Sequence, residues 1–156
     1  MSEPRIFGER DYKVIEDDAR DHLILDILKR IDSDTQRVGA VERRQVWDKG
    51  WQDALDAFRE NPVEASLIPK FIRPGLPLRW QQQFVQPADP WAELAFCRHM
   101  HVLLARQFEN CDSVHEFGCG TGFNMAGMAK HLPEMPFVGY DFAEPAVRLV
   151  REAGEA

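Results

Sequence analysis

The stretch SVHEFGCGTGFN, residues 113–124, most narrows what this chain can fold into: a short apolar run is followed by glycines at alternate positions, Gly118, Gly120 and Gly122. Alternate glycines directly behind a strand mark a tight strand-to-helix turn. Glycine reaches positive φ without a Cβ clash and leaves bare backbone that a ligand can approach closely. The flanking sequence supports such a turn. Residues 113–117 read as a strand, 123–132 as a helix with Met125, Met128, Ala129 and Leu132 on one side, 136–142 as a second strand, and 144–152 as a helix with Ala146, Val147 and Val150 inward. A strand, helix, strand, helix order with a short crossover makes the two strands parallel and their connection right-handed, so residues 91–156 are expected to begin an α/β domain.

Upstream the period is helical. Leu23, Ile24, Ile27, Leu28 and Ile31 recur at three- and four-residue spacing within 17–31, and Val38, Val41, Val46, Trp47, Trp51, Leu55 and Phe58 do so within 38–58, where Asn61 and Pro62 end the run. Residues 1–61 therefore read as a mainly helical region. Residues 62–90 hold six prolines, which argue against a regular helix or a central strand, while Phe71, Trp80 and Phe84 make the segment too apolar for a disordered linker. An ordered strap is expected there. Asp89 and Pro90 form an N-cap and first-turn proline for a helix over 91–108.

The 156 residues suit one globular domain, and 19 basic against 26 acidic residues give a net charge of -7, which disfavours nucleic acid or an acidic membrane as partner. Cys97, Cys111 and Cys119 are odd in number and lack CxxC or Cys/His spacing, so reduced thiols, no metal site and a cytoplasmic setting are expected. No apolar run is long enough to span a bilayer, and the polar N-terminus has no signal-peptide pattern.

The glycine spacing separates possible ligands. A dinucleotide fingerprint requires G-x-G-x-x-G, but the third glycine position falls on Phe123 or Met125, and no Gly-Lys-Ser/Thr follows for a phosphate loop. EFGCGTG instead resembles the first motif of class I S-adenosylmethionine-dependent methyltransferases, an acidic residue followed by G-x-G-x-G. FVGYDF strengthens the resemblance by ending its strand with Asp141, 23 positions after Gly118.

The resemblance implies a partial Rossmann-like methyltransferase fold, β-α-β-α, preceded by the helical region. It also implies S-adenosylmethionine as cofactor, with Glu116 near the methionine ammonium, Gly118, Gly120 and Gly122 along the methionine and ribose, Asp141 on the ribose hydroxyls and Phe142 beside the adenine. Phe117, Cys119 and Thr121 complete the implied cofactor-binding stretch. A carboxylate suits both acidic positions: it offers two acceptor oxygens to a diol and would repel a phosphate but pair with an ammonium.

The implied activity is methyl transfer to a small-molecule acceptor, with no catalytic base assigned. A non-catalytic module that binds the cofactor is the alternative, and a nicotinamide-dependent oxidoreductase is weakened by the loop spacing. Because the family fold has seven strands, the chain is expected to be the N-terminal part of a longer enzyme or to pair with a second chain, leaving the strand at 113–117 with an open edge. Ala143 stands where family members often carry a capping serine. His99 and His101 lie two apart on a helix and form no metal pair. His115 is expected to be a hydrogen-bonded core residue, Met125 and Met128 helix core, and Cys119 unreactive.

Overall fold

The computed structural model describes residues 11–35 and 40–155. They fall into two units, one from Met1–Glu42 and Ile72–Phe96, the other from Arg43–Phe71 and Cys97–Ala156. This grouping differs from the successive segments 1–61, 62–90 and 91–156. Its physical origin is strand pairing that joins the start of the chain to the proline-rich stretch.

In the first unit, β1 (Tyr12–Val14), β2 (Leu78–Trp80) and β3 (Gln83–Pro87) form an antiparallel sheet in the order β1-β3-β2, with Val14 and Leu78 both opposite Val85. The expectation of no central strand in residues 62–90 is thus corrected. Pro87 lies at the end of β3, where its missing N–H is tolerated, and the other prolines lie outside the strands. The β2–β3 turn is made by Gln81 and Gln82, with φ of 46° and 68°. Two left-handed residues suit a type I′ hairpin, whose usual signal is Asn-Gly, so glutamines hide it in the sequence. Val85 is fully buried, and Arg79 lies 5.1 Å over the Phe84 ring.

Helix α1 (Asp17–Thr35) has the expected period, yet Leu25 and Leu28 are more than half exposed and none of its described side chains is fully buried. Helix α2 (Ala40–Glu60) matches the second periodic run. Val38 lies outside the described residues, and Leu55 and Phe58 enter the core.

Helix α3 (Ala92–Phe108) starts where the Asp-Pro signal puts it, and Asp89 Oδ1 accepts from the Trp91 N–H at 2.9 Å. In the second unit, β4 (Val114–Phe117), α4 (Phe123–Ala129), β5 (Phe137–Tyr140) and α5 (Glu144–Glu155) follow in the expected order, and β4 and β5 are parallel with Glu116 opposite Gly139. The architecture is mixed α/β. Helix α4 ends three residues earlier than expected because Pro133 disfavours helical backbone at Leu132, although the Leu132 N–H still reaches the Met128 carbonyl at 3.1 Å.

The core of this unit collects Leu55, Phe58, Leu67, Ala105, Phe123, Met125, Met128, Ala146 and Leu149. Leu149, not anticipated as inward, is fully buried beside Ala146 one turn earlier, while Val147 and Val150 are half-buried. Ion pairs among the described residues tie distant segments, Arg59 to Glu152 through two hydrogen bonds of 2.5 and 2.8 Å and Lys130 to Glu64 among them. Among the described residues, no helix is long and apolar enough to cross a membrane.

Candidate functional site

The glycine loop runs from the end of β4 into α4, and Gly118, Gly120 and Gly122 have φ of 74°, 54° and 75°. All three are left-handed, a conformation that costs other L-residues about 1–2 kcal/mol each. The loop is fastened to β5 and the residues after it. Gly118 and Cys119 donate their N–H groups to the Tyr140 carbonyl at 2.7 and 3.1 Å, and Gly122 donates to the Cys119 carbonyl at 2.8 Å.

Asp141, at the end of β5, completes the fastening. Its Oδ2 accepts from the Gly120 N–H at 3.0 Å, and its Oδ1 accepts from the Ala143 N–H at 3.0 Å, forming a side-chain turn ahead of α5. Asp141 thus orders the turn before α5 through the Ala143 N–H, whereas the Ala146 and Val147 N–H groups of the first turn bond the Ala143 carbonyl at 3.1 and 3.2 Å. An ionised carboxylate offers about four acceptor sites, so two lone pairs remain after both amides are served.

Glu116 is half-buried in β4. Its Oε1 accepts from Asn124 Nδ2 at 2.7 Å, while Oε2 is inaccessible to solvent and has no hydrogen-bond partner among the described residues. Burial pushes its pKa up from the ordinary carboxylate value, opposed by the Asn124 hydrogen bond and the nearby His101. A buried acceptor left unmatched costs about 1–3 kcal/mol until a donor arrives, and a cationic donor meets it best.

The remaining predicted site residues divide by direction. Phe117 is 80% exposed and stacks on Tyr140 at 4.8 Å, and Phe142 is 61% exposed, so both present apolar rings at the loop's edge. Cys119 and Thr121 point inward. Thr121 is buried and donates its hydroxyl to the Leu67 carbonyl at 2.5 Å, and Cys119 packs on Gly139, where a Cβ would lie 2.9 Å from its Sγ. Burial, with the nearby carboxylates of Asp141 and Glu116, raises the Cys119 thiol to about 11. These two side chains serve the fold, and Gly120 and Gly122 are buried against Trp51 and Val150. A Cβ at Gly118 would meet nothing within 4 Å, so that side of the loop is open.

Sequence reasoning missed Trp51, His101, Asn124 and Gly127. Trp51 of α2 lies so close to the loop that a Cβ at Gly120 would come within 2.8 Å of its Cη2, and Trp47 stacks against it at 6.0 Å. These contacts join residues far apart in sequence, which local pattern does not reveal; only the spare glycines hint at something pressing on them. His115 is corrected: it is exposed, with Ser113 Oγ 3.1 Å from Nε2 and Tyr140 Oη 3.2 Å from Nδ1, because its strand position faces away from the core.

Among the described residues β4 pairs only with β5. A cleft of about 540 Å³ lies along α3 and β4, lined among others by Met100, Leu104, Phe108, Val114, Glu116 and Asn124. Among the described residues, no cluster of His, Cys, Asp and Glu has the arrangement of a metal site. Glu116 Oε2 is thus a buried, unmatched acceptor, Gly118 has open space beside it, Asp141 keeps spare acceptor sites and the Phe142 ring is exposed. Compared with protein-family models, curated proteins and solved structures, the chain finds no match.

Proposed function

We propose that the β4-α4-β5 unit binds S-adenosylmethionine and that the chain acts as the cofactor-binding part of a methyltransferase with a small-molecule acceptor. The observation that carries this reading is the buried, unpartnered Oε2 of Glu116 directly before a loop of three left-handed glycines that Asp141 fastens. The ligand would pair its ammonium with Glu116, run along the backbone at Gly118, share its ribose hydroxyls with Asp141 and set its adenine by Phe142. The partial Rossmann-like fold belongs to the same proposal, supported by the parallel β4-β5 pair and its right order of helices.

When bound, the cofactor would supply a sulfonium methyl group that an acceptor attacks in line, the S–CH3 bond breaking to release S-adenosylhomocysteine. The protein's part is to hold the cofactor still and to shield the reacting centre from water. A small neutral or cationic acceptor suits the net charge of -7 better than a polyanion. A binding module without turnover would use the same residues, and an assay of methyl transfer separates the two.

Calorimetric titration with S-adenosylmethionine and S-adenosylhomocysteine, with NAD as control, tests the proposal. Saturable binding of both sulfur nucleosides and none of NAD is expected. A folded sample that binds NAD alone, or none of the three, would contradict it.

A further inference from the structure

Glu116 is one end of a three-residue polar chain. Asn124 Nδ2 donates to Glu116 Oε1 at 2.7 Å, and Asn124 Oδ1 lies 3.1 Å from His101 Nε2. The chemistry fixes the order of donors. An ionised carboxylate only accepts, so the amide nitrogen faces Glu116. The amide oxygen therefore faces His101, and Nε2 of that imidazole must carry its proton.

Packing fixes the far end. His101 is 3% exposed and meets Phe123 edge-on at 4.9 Å. A Cβ at Gly127 would fall 2.0 Å from His101 Nδ1, so α4 omits a side chain where the imidazole sits. Three elements, α3, β4 and α4, thus contribute to one hydrogen-bonded line that ends on the carboxylate.

We infer that His101 and Asn124 are positioning residues for the proposed cofactor site: by holding Oε1 of Glu116 they turn Oε2 toward the ligand's ammonium group. The inference rests on the function proposed above. A carboxylate free to rotate must lose that freedom on binding, whereas one already tied by a single oxygen has its remaining oxygen preorganised. The same tie leaves Oε2 buried and unmatched in the free protein, a cost that an arriving ammonium removes.

Two probes read this separately from general damage. S-adenosylhomocysteine carries the ammonium, and methylthioadenosine keeps the adenosine thioether but lacks the amino-acid end. By calorimetric titration, Asn124→Ala, at an exposed position, is expected to weaken S-adenosylhomocysteine on the order of tenfold. Methylthioadenosine should stay within about twofold, since it makes no contact that the carboxylate directs.

His101→Gln, which returns an N–H toward Asn124, should recover most of the affinity lost in His101→Ala. If His101→Ala does not fold, Asn124→Ala carries the test. Equal weakening of both probes, or of neither, overturns the inference while the proposed function stands. Failure of the unaltered chain to bind either probe overturns the proposed function, and the inference with it.

Discussion

Asp141 holds Gly120 across the gap between the two parallel strands, its Oδ2 accepting the glycine N–H at 3.0 Å while Oδ1 takes the N–H of Ala143. One carboxylate thus ties the loop after β4 to the turn before α5. Removing it frees two backbone donors that charge-assisted bonds had satisfied, at about 1–3 kcal/mol. Asp141→Ala is expected to lower stability by that amount in urea denaturation and to abolish S-adenosylhomocysteine binding, while the far-ultraviolet dichroism stays native. A variant that melts like the parent would show that the fastening carries no energy.

The loop glycines should differ in tolerance. Gly118→Ala meets no neighbour within 4 Å and pays only for its left-handed backbone, about 1–2 kcal/mol. Gly120→Ala pays the same and also drives a methyl to 2.8 Å from Trp51, which raises its loss to about 2–4 kcal/mol. Combining Gly120→Ala with Trp51→Ala should cost less than the sum of the single changes. Simple additivity in denaturant midpoints would place the strain elsewhere.

Glu64 and Glu116 should respond to pH with opposite sign. The Lys130 partner holds Glu64 below the ordinary carboxylate value, so its stabilising effect is present above the unfolded pKa and is lost as pH falls through the folded one. Glu64→Gln should therefore be less stable than the parent near neutrality, within about 1 kcal/mol, with the gap closing in acid. Burial raises Glu116, so the native state holds its proton longer than the unfolded chain and the parent loses stability as pH rises through that window. Glu116→Gln should be at least as stable as the parent near neutrality, with its advantage fading in acid, and yet bind S-adenosylhomocysteine poorly. Denaturation from about pH 2 to about pH 8 covers both windows and checks both signs. A Glu116→Gln chain that is less stable at neutral pH would contradict a carboxylate kept for binding at the expense of stability.

The thiols should separate by reactivity. Cys111 is exposed, whereas Cys119 is buried with its pKa raised to about 11. Iodoacetamide at neutral pH, followed by peptide mass mapping, should label Cys111 first and leave Cys119 intact until the chain unfolds. Early labelling of Cys119 would mean that the loop opens.

The order from α3 to α5 was legible because each element carries a local sign: Asp89 and Pro90 at the start of α3, alternate glycines after β4, Pro133 beyond α4 and a helical period through Ala146. The sheet of β1, β2 and β3 was not. Its outer strands are three residues long, and its turn uses Gln81 and Gln82 in place of the usual asparagine and glycine. The turn at Gly118, Gly120 and Gly122 was legible as alternate glycines behind a strand, whereas Glu116 and Asp141 were singled out only by the resemblance of EFGCGTG and FVGYDF to a known motif. His101, Trp51 and Gly127 meet the loop and its carboxylate only through packing between helices and strands, and a linear pattern holds no record of that. The apolar residues of α1 give the converse lesson, since helical periodicity described the element but not its burial.

The proposed binding of S-adenosylmethionine at the glycine loop is tested most directly by the amide chemical shifts of the nitrogen-15-labelled chain during titration with S-adenosylhomocysteine. Saturable shifts at Gly118, Gly120, Gly122 and Phe142, absent in Asp141→Ala, are the expected result. Saturable shifts confined to other residues, or none in a folded sample, would contradict it.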